Sequence, residues 1–384
     1  MSNLISRNSF KELAGKDRLI SEIAQITKHE FMNGQLRDYF TIIPNAKGGM
    51  PVATASPTEG YITTKSKHSP TPDFVDYNAP VLQQYWNPQV QSVRIRLTYG
   101  EFVDQYTQWL LGNGHGVVDL RGTTILQFLV DKIRIDMELD VLRISLFGKS
   151  DIASANILRD NANKAKFYDN INSGLVETFK TWKKGGANFD HLASNFDAIS
   201  KNVNNAANEG PTLDHQYEGF TNTFAKDIFR KLTRIKDGLR HKPDTLYCNW
   251  SLAENWRDWQ ENNVNLESSK SQEVTGAVSN TYRGYPIVVL DRYETWRATD
   301  FAKDKRTTAQ INANAPERNF VDTANFAVFA NKMDLQVGID AESSLRDLSI
   351  SFPDGNDEYI YIKADYFLDF VFATPLKNAF RAAL

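Results

Sequence analysis

Apolar positions change period along this chain, and each change marks an element. From 124 to 147, Leu126, Leu129, Val130, Ile133, Met137, Val141 and Ile144 recur three and four places apart among polar residues, the period of a helix with one buried stripe. Thr124 and Gln127 stand at capping-box spacing and Gly148 supplies a stop, so a helix about 36 Å long is predicted over 124–147. Lys132 with Asp136 and Asp140 with Arg143 are expected as solvated pairs on its wet face. Strict alternation appears in Val93-Arg94-Ile95-Arg96-Leu97, a half-buried strand. Short β-branched or aromatic runs closed by turn residues, Tyr282–Val289 and Phe326–Asp340, are each read as buried strand. Thr245-Leu246-Tyr247-Cys248 is a strand entering a helix that carries Trp250, Trp256 and Trp259, the last two on one face as a packing pair. Leu348–Phe352 turns through Asp354-Gly355-Asn356-Asp357 into Tyr359–Ile362 as a hairpin, and Phe367–Phe372 adds a further strand.

The first forty or so residues set Leu13, Ile20, Ile23, Ile26 and Phe31 among charges, an amphipathic helical arm. Its stripe must be covered, either by its own domain or by a neighbouring subunit. Residues 44–88 hold Pro44, Pro51, Pro57, Pro70, Pro72, Pro80 and Pro88, seven of the thirteen prolines, with Gly48, Gly49 and Gly60, which excludes helix. Strand-like pieces such as Tyr61-Ile62-Thr63-Thr64-Lys65 lie between them. Two readings fit: a two-armed hairpin whose arms of ~15 residues would reach on the order of 50 Å, or a disordered linker. From 148 to about 240 the pattern is of helices and polar connections, including Ile171–Leu175, Phe224–Leu232 and a stretch rich in Asn and Asp from Asn188 to Asn208.

Composition narrows the function classes. The chain has 384 residues, 41% of them apolar, enough for two or three domains with real cores. Its 44 basic and 47 acidic residues leave a net charge of -3, which gives no global attraction to nucleic acid or an anionic membrane. Met1–Arg7 lacks a secretion signal's basic region and apolar core, and no run approaches the ~18 apolar residues of a membrane span. The single cysteine, Cys248, excludes an intrachain disulfide and is read as a small buried hydrophobe. Local signatures of zinc sites and serine hydrolases are missing. Gly112-Asn113-Gly114-His115-Gly116 lacks the following Gly-Lys-Ser or Gly-Lys-Thr of a phosphate loop and is read as a connection, and His115 with Asp119 as structural. Asp354–Asp357 lacks the full spacing of a calcium loop. No catalytic residue, metal or cofactor is predicted. Lys226, Arg230, Lys231, Arg234 and Lys236 follow helical spacing as a solvated face, with nucleic-acid contact the alternative.

The order of these elements resembles the major capsid proteins of tailed bacteriophages, the Hong Kong 97-type capsid fold. Thr245–Tyr247 entering a helix, then Tyr282–Val289, then Ala330–Asp340 resemble that family's late strand and helix pattern. The resemblance spans nearly the whole chain and is carried by order, since each motif alone is an ordinary strand or turn. It implies an α+β fold with an N-terminal arm (1–43), an extended loop (44–92), a peripheral domain (93–242) with spine helix 124–147 and connecting helices, and an axial domain (243–384), strands of 345–372 returning to the peripheral domain. It also implies a homo-oligomer of pentamers and hexamers forming an icosahedral shell around viral DNA, located in the virion and assembled in the host cytoplasm. Implied partners are a scaffolding protein, a portal and non-specifically contacted DNA, with no membrane. Subunit contacts are expected, segment by segment, at Lys47, Gly48, Gly49, Tyr61, Lys65 and Lys67. Some members crosslink a Lys to an Asn between subunits, but no such pair can be placed here, so these lysines carry no crosslinking role. A 43-residue leader is too short for the coiled scaffolding segment of some members, which implies a separate scaffolding protein or an upstream piece already removed. An encapsulin-like compartment shares the fold. From a different class, a carbohydrate-active enzyme or binding module would expose the tryptophans read here as packing.

Overall fold

The computed structural model describes residues 36–55, 81–98, 136–152, 158, 166–184, 195–197, 199, 221, 223–234, 243–262, 281–290, 292–301, 303–304, 319–320, 325–339, 349–351, 359–374 and 379–384. Two large sheets organise them, beside two-stranded pairs, one of which joins β9 (Lys303–Asp304) to β10 (Asn319–Phe320), and a short helix α1 (Leu36–Tyr39) leads into the first sheet. The first is built around β14 (Tyr359–Phe372). Along one edge β14 pairs antiparallel with β4 (Gln89–Thr98), from Tyr359 opposite Thr98 to Leu368 opposite Gln89. Along its other edge it pairs with β13 (Ser349–Ser351) and β12 (Leu335–Ile339), and β1 (Thr41–Pro44) adds in parallel to β12. The second sheet runs β5 (Phe196–Asp197), β15 (Phe380–Ala383), β11 (Ala327–Ala330), β6 (Thr245–Cys248), β8 (Tyr285–Val289), β7 (Thr281–Tyr282).

Every residue of β6 and β11 is buried, because both faces of the second sheet are covered. Leu246, Cys248, Ala327 and Phe329 face α4 (Phe224–Leu232) and α5 (Trp250–Asn262). Tyr247, Val328 and Ala330 belong to a larger core shared with Leu335, Val337, Leu368, Phe370 and Phe372 of the first sheet, with α2 (136–147) and with α3 (Leu175–Lys184). The double coverage explains why these runs are apolar at consecutive positions instead of alternating. Cys248 is fully buried, and burial pushes its thiol well above the usual range, as expected of a small core residue.

Met137, Val141 and Ile144 are buried at the predicted helical spacing. Residues 124–135 of the predicted helix lie outside the described residues. Gly148 ends α2 for a packing reason too: a Cβ there would come 2.7 Å from the Ile144 carbonyl oxygen and press into Ile171.

Four expectations are corrected. Tyr282–Val289 is a tight hairpin, not one strand: β7 and β8 are antiparallel and Arg283 and Gly284 turn the chain at φ 52° and 84°, the primed geometry that suits strand twist. Phe326–Asp340 is divided between the two sheets as β11 and β12, separated by a 3-10 turn at Lys332–Asp334. Phe367–Phe372 continues β14 as part of the strand that begins at Tyr359. Arg143 turns inward instead of standing on a wet face. Its guanidinium binds the Asp300 carboxylate and donates to the Tyr168 hydroxyl at 2.7 Å, and Tyr168 also donates to Asp300.

Asp300 lies in a π-type turn (Arg297–Phe301) that continues α6 (Tyr293–Trp296). In the same turn Arg297, only 1% exposed, stacks its guanidinium 4.6 Å from the Phe301 ring centroid and 4.8 Å from that of Phe147. Burial drives the Tyr168 hydroxyl far above its ordinary pKa, keeping it a neutral donor to Asp300. Replacing Asp300→Ala removes the anion facing Arg143 and is expected to cost about 3–5 kcal/mol in urea unfolding, the usual result of breaking one half of a buried pair. Met137→Asp places an unpaired charge in the core and is expected to give a chain without a cooperative thermal transition, read by circular dichroism.

Candidate assembly surface

The Pro-rich segment begins and ends as a ribbon. β2 (Pro51–Ala55) and β3 (Val81–Tyr85) pair antiparallel, with Pro51 opposite Tyr85 and Ala55 opposite Val81. The hairpin reading therefore holds at its base, and residues 56–80 lie outside the described residues. A turn at Lys47–Met50 leads into β2, closed by the Met50 amide donating to the Lys47 carbonyl at 3.1 Å. Gly49 takes φ +80°, a conformation costly for any side chain, and donates to the Trp86 carbonyl at 2.9 Å.

Trp86 roots this ribbon. It forms a separate small core with Ala46 and Val371, flanked by Ile43 and Val52. Its indole lies over Gly338 in the middle of β12, where a Cβ would come 2.8 Å from ring atom Cε3 and closer still to Cζ3. Only glycine at 338 leaves room for the ring. Three polar links reinforce the root: Gln84 Nε2 donates to the Phe372 carbonyl, the Asn87 amide to Asp369 Oδ2, and the Asn45 amide to the Ile339 carbonyl, each at 2.8 Å. Around this fixed root, Met50 and Tyr85 are 46% and 57% exposed, an apolar pair offered outward where the ribbon meets the body.

Of the residues expected at a subunit contact, Lys47, Gly48 and Gly49 are exposed and brought together in the turn before β2. Tyr61, Lys65 and Lys67 lie outside the described residues, as do His115, Asp119 and the turn Asp354–Asp357. Sequence reasoning missed Trp86, Met50 and Tyr85. The available signal was Gly338 between Val337 and Ile339, since a glycine inside a strand marks close approach by another group.

Two of the tryptophans weighed for a sugar site pack against each other. Trp256 and Trp259 stack at 5.0 Å and 11°, Lys226 caps Trp259 at 4.1 Å, and Trp256 packs on Phe229 and Tyr282. Arg230 pairs with Asp227 at 3.1 Å and Lys226 lies over Trp259, so these two cations of the basic row on α4 are engaged locally. A cavity of about 450 Å³ between β4 and α2 is lined by Arg94, Arg143 and Arg292 against Asp136 and Asp140, three cations to two anions. Among the described residues no cluster of His, Cys, Asp and Glu could hold a metal ion, and no helix is long and apolar enough to cross a membrane.

No family model and no curated protein matches the chain. Among solved structures it is similar to a chain in the satellite phage P4 procapsid including the size determination (Sid) protein, with 10% identity over 94% of this chain and 98% of that one, at a TM-score of 0.47. It is similar to a chain in the capsid of Myoviridae phage XM1, with 9% identity over 89% and 88%, TM-score 0.40. A chain of the virus-like particle from Pyrococcus furiosus shows 10% identity over 94% and 96%, TM-score 0.36.

Trp86→Ala empties the root of the ribbon and is expected to lower stability by about 3 kcal/mol in urea unfolding. Gly338→Ala, which adds one methyl under the indole, should shift the midpoint in the same direction.

Proposed function

We propose that this chain is a major capsid protein of a tailed bacteriophage, a structural subunit that closes a shell rather than an enzyme. The observation that carries the reading is the ribbon: a two-stranded extension rooted by Trp86 in a body with two sheets, offering Met50 and Tyr85 outward beside Lys47, Gly48 and Gly49. Such a surface is buried only by another molecule, so its stabilisation is shared between subunits. The order of elements supports the same reading. The ribbon is followed by β4 and the helix 136–147, and then by a mixed sheet with α4 and α5, an order that agrees with what the capsid resemblance implies.

In this reading the first sheet with α2 is the peripheral domain, to which β13 and β14 return, and the second sheet with α5 is the axial domain; β12 of the 243–384 segment pairs in the first sheet, and α4 of the 93–242 segment packs on the second. Pentamers and hexamers would form through the axial domain, and the extended loop, whose sequence includes Tyr61, Lys65 and Lys67, would link one ring to the next. The shell would enclose the genome in the virion after assembly in the host cytoplasm, with a scaffolding protein and a portal as partners. The stacking of Trp256 on Trp259 under Lys226 disfavours a carbohydrate-binding platform.

Because Ala55 and Val81 are opposite one another, residues 56–80 can be replaced by a two-residue Asn-Gly turn that closes β2 on β3. The shortened chain is expected to melt like the full one and to form no rings or shells by negative-stain microscopy and light scattering. The full chain, expressed with its neighbouring genes, should form them. Normal particles from the shortened chain would refute the linking role, and a full chain that stays a monomer in every preparation would refute the capsid reading.

A further inference from the structure

Asp369 is 3% exposed, lies on β14 and faces the root of the ribbon. Side chains alternate along this strand. Leu368, Phe370 and Phe372 enter the main core, whereas Val371 joins Trp86 and Ala46 in the small one, and Asp369 shares the parity of Val371. One carboxylate oxygen accepts the Asn87 amide at 2.8 Å, one residue beyond Trp86, and the other accepts the Phe370 amide at 2.9 Å. The Asn87 bond joins β14 to the end of the ribbon at the point where β3 gives way to β4.

We propose that Asp369 is a protonation-controlled latch on the ribbon, holding its root more tightly to the body when the carboxyl is neutral and loosening it when the carboxyl is ionised. The neutral acid keeps a carbonyl oxygen for the Asn87 amide and removes a buried charge. The ionised form keeps both hydrogen bonds but, among the described residues, has no counter-ion beside it. β1, β2 and β12 contain no ionisable side chain, β3 contributes the exposed Tyr85, and the preceding turn contributes the exposed Lys47. On β4 and β14 the nearest charges are Arg94 and Asp365, paired with each other at 3.3 Å, with Arg96 and Lys363 further along. Lys332 and Asp334 stand beyond the far end of β12, beside Ala373. Burial pushes the Asp369 carboxyl up to about 6, against the opposing pull of the two amide hydrogen bonds. When the root opens and water reaches the carboxyl, the ordinary value of 3.8 returns. Opening is then favoured as pH rises through about 6, and the latch tightens as pH falls towards 5.

The test is hydrogen–deuterium exchange on the full, unassembled chain between pH 5 and pH 8. The readout is the peptide holding the Trp86 and Asn87 amides, each rate being divided by the intrinsic rate at that pH. Protection is expected to fall about tenfold from pH 5 to pH 8, the ratio set by the two pKa values. Amides of β11, in the core, serve as the internal reference and should show no such slope. Asp369→Asn, neutral at every pH, should hold high protection throughout and exceed the native chain at pH 8. A native profile that is flat or rises with pH overturns the latch, as does a variant that keeps the native slope. If the variant does not fold, the native slope relative to β11 still decides. Shell formation is not read in this experiment, so its failure leaves the capsid reading to its own test.

Discussion

The arrangement of the two sheets depends on one small staple where the chain crosses between them. β11 leaves the second sheet and enters the first as β12 through Asn331–Asp334, and β14 makes the reverse crossing towards β15. The crossings touch: the Thr374 hydroxyl donates to Asp334 Oδ1 at 2.6 Å and the Ala373 amide to the Asp334 carbonyl at 2.8 Å. Asn331 Oδ1 accepts the Met333 amide at 2.8 Å and fixes the 3-10 turn between them. With both crossings tied, the inner faces of the sheets meet over one aromatic cluster. Phe372 of the first sheet and Phe380 of the second lie 5.2 Å apart, and Phe179 of α3 is within 5.4 Å of both. Each such ring stabilises the fold by about 2–3 kcal/mol through burial alone, so neither sheet can shift without losing several of them.

Charge inside the fold is handled in contrasting ways. The Arg143 guanidinium meets a carboxylate and a neutral hydroxyl, whereas Arg297 is held chiefly by ring faces. Burial acts to raise the Glu177 carboxyl, but Lys180 at 2.9 Å, Lys149 at 3.3 Å and the nearby Arg297 together bring it below the ordinary carboxylate range. Asp369 has no such cation beside it among the described residues and moves the other way. The core around α2 and α3 is therefore electrostatically compensated, while the ribbon root carries an uncompensated group, a difference that falls between the rigid body and its extension.

Much of the architecture was legible because it rests on local patterning. The strand at Val93–Leu97, the strand-to-helix step from Thr245 into the Trp-bearing helix, and the hairpin from Leu348 through Ile362 all follow from alternation and turn chemistry. Errors arose where position along the chain hides position in space. Asp140 stands three residues from Arg143 and was the visible partner, but the carboxylate that engages Arg143 is 157 positions away. Phe326–Asp340 holds two apolar runs separated by Asn331-Lys332-Met333-Asp334, and that polar break marks a turn without saying that the chain passes there from one sheet to the other. Arg283–Gly284 did carry a hairpin signal, outweighed by the apolar residues on either side. At the candidate surface, proline and glycine announced an extension and its turn, whereas its root required knowing that Trp86 would meet Gly338.

The pairing of β4 with β14 has a consequence for the time course of folding. Ser92 bonds to Asp365 across 273 positions, and Thr41 bonds to the Lys332 carbonyl across 291. At a synthesis rate of about 5–20 residues per second, β1, β4 and the ribbon emerge tens of seconds before the strands that complete them. During that interval they present unsatisfied backbone edges to any neighbouring nascent chain, and closure must overcome the loop entropy of nearly the whole polypeptide. The polar and proline-rich character of the ribbon, and the alternating arginines of β4, then act as protection against premature strand association while the rest of the subunit is being made.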